Sequence, residues 1–311
     1  MDNLTHSFAG ALLGQMGLKR LTGRAMPTLI IAANIPDIDA VATVLGRESL
    51  AIRRGITHGP IALVLLPLVL TGLVLLYNRW RPSEQPVRPG WLLLLAYVGT
   101  LSHPALDWLN SYGIRLLEPF SSRWYAGDTL FIIDVWIWAA LIGCFIWSRR
   151  REKSGGDWQR PAWLGFTAIC AYILGNGLIT GRAERHTTLQ LMEQAVQPTL
   201  VVANPVPLRF WERRMLWRTV DEYGGGEYDA LTGALTVDTF LRRTNLERPE
   251  LVLSRRRPDI EAYLFWSRMP VVIERDGRLF LADQRFNSSL TRDQFLVPLN
   301  TVQQPHTPPV P

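Results

Sequence analysis

Apolar positions crowd the first 180 residues in long uncharged runs and then give way to short alternating stretches. Residues 61–77 (IALVLLPLVLTGLVLLY) carry no charge, and at about 1.5 Å per helical residue they nearly cross a bilayer core. Residues 91–101 (WLLLLAYVGTL) reach that length only by continuing through SHPALDWL. Residues 130–147 are apolar except for Asp134, and 162–180 make a further run. Two shorter apolar pieces, 4–18 and 27–36, precede these and read as shallow or tilted helices. The pattern predicts an α-helical polytopic membrane domain of about six helices over residues 1–181. Pro104 suits a first helical turn, which would put His103 at the N-cap of a new helix.

Beyond residue 181 the pattern predicts a small α+β soluble domain over 182–300. Strands are expected at 215–221 and 228–237 around a turn at Gly224, Gly225 and Gly226, and at 270–275 and 278–284 around Asp276 and Gly277, a pair suited to a tight primed turn. Residues 258–268 have helical apolar spacing. The proline-rich tail, 301–311, reads as disordered.

Charge orients the helices. Segments 19–26, 78–90 and 148–161 hold Lys19, Arg20, Arg24, Arg79, Arg81, Arg88, Arg149, Arg150, Arg151, Lys153 and Arg160, whereas the alternate segments 37–60 and 102–129 hold five arginines. The basic set belongs in the cytoplasm, which places the C-terminal domain outside it. The N-terminus starts acidic and has its basic residues after the apolar stretch, the reverse of a signal peptide. Net charge is +6, but residues 182–311 carry 17 basic and 16 acidic side chains, so no domain has a nucleic-acid footprint. The two cysteines, Cys144 and Cys170, lie in apolar runs, which argues against a disulfide framework or a cysteine-bound metal.

On this topology one set of polar residues gathers at one membrane face: His6, Asp37, Asp39, His58, His103, Asp107, Asp128 and Asp134. Imidazole and carboxylate together suit zinc, manganese or iron, and facing carboxylates repel unless a cation lies between them. His103 and Asp107 form the strongest pair, because a four-residue spacing stacks two side chains on one helix face. The expected ligands are His6, Asp37, Asp39, His58, His103, Asp107 and Asp134. Each has a plainer role open to it: an interfacial imidazole behind a Thr5 cap for His6, a helix cap for one of Asp37 and Asp39 or for Asp128, a loop end for His58. Arg53, Arg54, Arg115 and Arg123 on this face run against the charge rule; a guanidinium fork suits phosphate, and contact with lipid head groups without catalysis is the alternative for each. Arg54 and Arg123 are the expected phosphate grips, and Asp39 or Asp128 the carboxylate that orients a water. No HExxH, GxSxG or Walker loop is present.

The stretches LTHSFAG, NIPDID, RRGITHGP, SHPALDWLNSYGIRLLEPFSSRWYAGDTLFIID and WSRMP, in this order, resemble the YdjM-like membrane-bound metal-dependent hydrolases of bacteria. That family looks distantly similar to the zinc-dependent phospholipase C and P1 nuclease fold. The resemblance implies an inner-membrane hydrolase using a divalent metal, with zinc expected. This chain lacks that fold's N-terminal Trp and second His-x-x-x-Glu helix, so two ions are expected rather than three. A membrane lipid or lipid-linked phosphate is the expected substrate, and no protein partner is indicated. The rival expectation is a metal-stabilised membrane scaffold without catalysis.

Overall fold

The computed structural model describes residues 1–238, 241–287 and 295–299. The expected disordered tail lies outside them. Helix α1 (Asn3–Gln15) starts at Asp2, whose carboxylate accepts from the Leu4 and Thr5 amides, so Asp2 rather than Thr5 is its cap. After α2 (Ala25–Ala32) the chain tightens into a 3-10 helix over Ile35–Ala51, broken at Gly46 where φ is 63°. A 3-10 turn at Ile56–His58 leads into α3 (Pro60–Trp80). Then come α4 (Pro89–Trp108), α5 (Val135–Lys153) and α6 (Gln159–Glu193).

Among the described residues, only α3 and α6, with mean hydropathies of 2.4 and 1.6, are long and apolar enough to cross a membrane. The bent pair of α2 and the Ile35–Ala51 helix adds a third if it counts as one broken span. Six crossing helices are therefore not supported, for local reasons. α1 and α2 have 13 and 8 residues, too few for a bilayer core. α4 carries Ser102, His103, Pro104 and Asp107. The run at 130–147 is split because Asp134 caps α5 instead of lying inside it, and α5 ends in three arginines, a glutamate and a lysine.

Pro104 does not begin a helix. It sits inside α4, which runs unbroken through His103. Packing overrides the missing N–H: Leu92, Leu95, Ala96 and Gly99 are buried along α4, which packs against α2. A Cβ on Gly99 would come within 2.6 Å of the Ala32 Cβ and 2.9 Å of the Leu29 carbonyl oxygen, so the contact requires glycine.

The three basic segments converge at one end of the helices. Gly23 N–H donates to the Pro86 carbonyl (3.0 Å), Gln85 Nε2 to the Arg20 carbonyl (2.9 Å), and Lys19 pairs with Glu152 at 2.5 Å. His58, His103 and Asp107 sit at the opposite ends of α3 and α4.

The C-terminal region contains sheets, as expected, with one correction. β1 (Leu200–Pro205), β2 (Glu212–Arg218), β3 (Glu222–Asp229) and β4 (Leu235–Val237) pair antiparallel in that order, and β5 (Arg242–Arg243) also joins β3. Gly224, Gly225 and Gly226 lie within β3 and form no turn. Gly224 faces Trp217 across the ladder, where a Cβ would come within 2.3 Å of the indole. The chain turns instead near residues 219–222, where Thr219 N–H donates to the Glu222 carbonyl. α7 (Pro249–Ser254) and α8 (Pro258–Trp266) follow. β6 (Pro270–Arg275) and β7 (Arg278–Asp283) form the expected hairpin, with Asp276 and Gly277 both left-handed, and β8 (Val297–Pro298) completes this second sheet.

The two regions interlock. α6 runs on through residue 181 and packs against β1 and β2. Arg213 of β2 reaches Asn176 and Thr180 of α6 at 2.9 and 3.1 Å. The WSRMP stretch joins them too: Trp266 Nε1 donates to the Tyr112 carbonyl, and Arg268 pairs with Asp128 at 2.9 Å.

Candidate metal centre

Four side chains meet where α3 and α4 approach the Ile35–Ala51 helix. Asp37, His58, His103 and Asp107 each offer a ligand atom, and these atoms lie within 4.8 Å of one another. Asp37 comes from the 3-10 helix, His58 from the turn that starts α3, and His103 and Asp107 from successive turns of one α4 face. His58, His103 and Asp107 are fully buried.

Hydrogen bonds behind the imidazoles decide which nitrogens face inward. His103 Nδ1 lies 2.7 Å from the Ala33 carbonyl, an acceptor only, so Nδ1 carries the proton. His58 Nδ1 lies 2.9 Å from Thr57 Oγ1 and 3.4 Å from Asp39 Oδ2; the Thr57 hydroxyl donates to Asp39 Oδ2 at 2.8 Å, so its oxygen accepts and Nδ1 of His58 carries the proton. Both Nε2 atoms are thereby left as lone pairs, 3.2 Å apart. Asp37 Oδ1 is 3.8 and 3.7 Å from them, and Asp107 Oδ2 is 3.7 and 3.5 Å away. Neither carboxylate oxygen has an aligned hydrogen bond despite burial. Four electron-rich atoms converge, and the charged donors beside them, Arg54 at Asp107 and Arg53 at Asp37, meet the carboxylates and not the imidazole nitrogens. A buried array of this kind fits a divalent cation and is unfavourable without one. The Ala33 carbonyl and Asp39 are the outer partners that fix imidazole orientation in metal sites.

The other expected residues fall into distinct places. His6 adjoins the group: its Nε2 is 3.2 Å from Asp107 Oδ1, and its ring stacks on His103 at 3.8 Å. Burial, with His103 beside it, holds its imidazole well below the ordinary range. Asp39 stands behind His58, accepting also from the Arg54 amide at 2.7 Å. Asp128 pairs with Arg268, outside the four-residue group. Asp134 is also outside it: it caps α5 through the Trp136 and Ile137 amides and accepts from the Tyr172 hydroxyl. Arg123 is exposed and lies over the Tyr125 ring.

Arg54 does touch the site, through Asp107. Its Nε is 3.0 Å from Asp107 Oδ2 and its Nη2 3.1 Å from Oδ1. Nη1 donates to Asn110 Oδ1 and the Gly113 carbonyl, and the guanidinium stacks over Tyr112. Burial pushes it down to about 10, still charged at neutral pH. Its backbone is left-handed, φ 52°, a strained conformation held by Asp39 on its amide and by Arg115 on its carbonyl. Arg54 is thus committed to internal partners.

Sequence reasoning missed the Ala33 carbonyl, because a backbone acceptor leaves no mark in residue type. It also missed the Met1 amino group, which is buried against Asp107. Arg53, one of the arginines expected on this face though not one of the two chosen grips, also borders the group. Arg53 Nη2 lies 3.9 Å from Asp37 Oδ1.

A cavity of about 880 Å³ lies elsewhere, between the helical region and the first sheet. Tyr112 on its wall and Arg54 behind that ring stand between it and Asp107.

No curated protein and no solved structure matches the chain, so a likeness to the phospholipase C and P1 nuclease fold is not shown. A family model does match, over residues 1–183, and this span holds α1 to α5, most of α6 and every residue of the centre. The chain belongs to the YdjM inner membrane protein family.

Proposed function

We propose that this membrane protein is a metal-dependent hydrolase acting on a phosphoester of a lipid or lipid-linked substrate. The observation that carries the reading is the convergence of Asp37, His58, His103 and Asp107 on one point, with both imidazole lone pairs turned inward. These nitrogen and oxygen ligands suit zinc. The four atoms account for one ion. A second would have to draw on His6 and Asp39, and Asp39 is already held by His58, Thr57 and the Arg54 amide. A bound dication supplies Lewis acidity, lowering the pKa of a water and stabilising charge on a phosphoryl oxygen. The chain's own residues prepare that site. Asp39 and the Ala33 carbonyl orient His58 and His103, and Arg54 fixes Asp107. We place the basic end in the cytoplasm and the metal centre with the C-terminal region outside it, from the gathering of the basic segments at the end away from His103.

The test is metal analysis of the purified protein, then a screen of zinc-, manganese- and iron-loaded protein in lipid against phospholipids and polyprenyl phosphates. Metal-dependent turnover that His103→Ala abolishes supports the reading. Bound metal with no turnover of any substrate overturns it.

One observation favours the scaffold reading. Four buried protein ligands equal the count of a closed structural zinc site. In that case metal removal would unfold the helical region, and no substrate would be turned over.

A further inference from the structure

The centre is closed on nearly every side. His6, His58, His103 and Asp107 are fully buried, and only Asp37 and Asp39, each 8% exposed, keep an edge to the outside. Both acids stand on the Ile35–Ala51 helix, which therefore frames the way in.

The outer side of that helix is apolar. Ile38, Val41 and Val44 are 57%, 72% and 87% exposed. A 3-10 helix eclipses side chains three residues apart, so these three form one edge. Leu45 on the same helix and Ile56 in the turn before α3 are exposed as well. The Ile35–Ala51 helix and the turn behind it pack against α3, which is itself apolar enough to cross a membrane. The patch thus continues the surface that α3 presents to lipid. Left in water, these aliphatic side chains would be unfavourable. An entry built only for water-borne substrates would need no such edge.

Arg53 borders the same opening. Its side chain is 28% exposed, its Nη2 is 3.9 Å from Asp37 Oδ1, and its Nε is buried without a hydrogen-bond partner. Unlike that of Arg54, its guanidinium has no hydrogen bond to another of the described residues beyond the long contact with Asp37, which leaves donors for an anion.

We propose that the Ile35–Ala51 helix lies in the head-group layer of the bilayer and forms the mouth of the metal centre, so that a lipid's anionic head group enters sideways from the membrane and is gripped by Arg53. What happens to the head group after entry rests on the hydrolase reading. The placement and the grip do not.

The first experiment reads depth alone. The full chain carrying Cys144→Ala and Cys170→Ala receives Val44→Cys, or Val41→Cys as a second site, labelled with a nitrobenzoxadiazole dye. It is reconstituted in phosphatidylcholine and phosphatidylglycerol vesicles. Lipids brominated near the head group should quench both positions, while a Leu231→Cys label, 75% exposed on the sheet region, should be quenched only by aqueous iodide. Iodide quenching without bromine quenching at Val44 would overturn the proposal. Protection from both quenchers would overturn it too, since it would mean that a protein face, such as a second copy of the chain, covers the helix.

The second experiment titrates metal-loaded protein with inorganic phosphate. Arg53→Ala should weaken phosphate binding about tenfold with metal content unchanged, and Arg53→Lys should restore part of it. Unchanged affinity, or loss of metal along with affinity, would overturn the assignment of Arg53. Neither experiment depends on turnover, so a failed hydrolysis screen and a failed entry route are distinguishable.

Discussion

The lone pairs of His58 and His103 point at each other because of groups behind the imidazoles that are not themselves among the four ligands. Remove the proton acceptor behind an imidazole and its tautomer is no longer fixed. Asp39→Asn should therefore lower metal affinity by about 10- to 100-fold while leaving the four ligands in place. His103→Ala and Asp107→Ala should abolish stoichiometric binding outright. Chelator competition followed by metal analysis separates the two grades. If Asp107→Ala keeps the wild-type metal content, the centre is wrongly assigned.

Close packing between elements sets the same geometry. The Ala33 carbonyl reaches His103 only because α2 and α4 approach at Gly99. Gly99→Val should force them apart at a cost of about 1–3 kcal/mol and should also weaken metal binding, since Ala33 follows directly on α2. Gly72→Ala is the control. It lies in α3 with nothing within 4 Å of its added methyl, so metal affinity should not change. Thermal unfolding with and without metal reads both effects. A Gly99→Val protein with normal metal affinity would show that the Ala33 carbonyl does not matter. In the first sheet, the tight fit of Trp217 over Gly224 likewise keeps β3 extended through three glycines.

Across the whole molecule, the second sheet meets the helices through a buried ion pair. Arg285 holds Asp283 by Nη2 at 2.8 Å and Nε at 2.9 Å, and its Nη1 donates to the Ser111 carbonyl. Burial alone would raise the Asp283 carboxyl, but the Arg285 guanidinium outweighs it and holds it below the usual range. A carboxyl depressed in the folded state contributes stability above its unfolded pKa of about 3.9 and loses it as the pH falls through its folded value. Tryptophan near-ultraviolet dichroism, with Trp266 packed against Phe286, should be stable at neutral pH and decline below about pH 4. Asp283→Asn should be less stable at neutral pH by about 3–5 kcal/mol and should show a shallower acid slope. An unchanged slope would mean that Asp283 contributes nothing to acid unfolding. Orientation is tested at the same scale. Reporter fusions after residue 155 and at residue 311 should lie on opposite sides of the membrane, and finding both on one side would refute the proposed topology.

Much of the centre was legible in the chain. The His103 and Asp107 spacing places both on one helical face whatever the fold, because helix geometry is local. The apolar runs at 61–77 and 162–180 give α3 and α6, since length and hydropathy suffice to mark a span. The Asp276 and Gly277 turn is equally local. Other features depended on distant neighbours. Asp134 has the same composition around it whether it lies inside a span or caps one, and only its hydrogen bonds to the α5 amides and Tyr172 decide. Asp39 looks like a ligand in NIPDID and stands behind His58 once Thr57 and Arg54 close around it. Arg54 and Arg53 are adjacent and alike in sequence. A left-handed residue at Arg54 separates their roles, with Arg54 committed to Asp107 inside and Arg53 beside Asp37 at the edge. The sequence by itself determined which residues had the chemistry. The tertiary structure decided which of them meet, because convergence depends on contacts between segments 20 to 70 residues apart, and no local pattern encodes these.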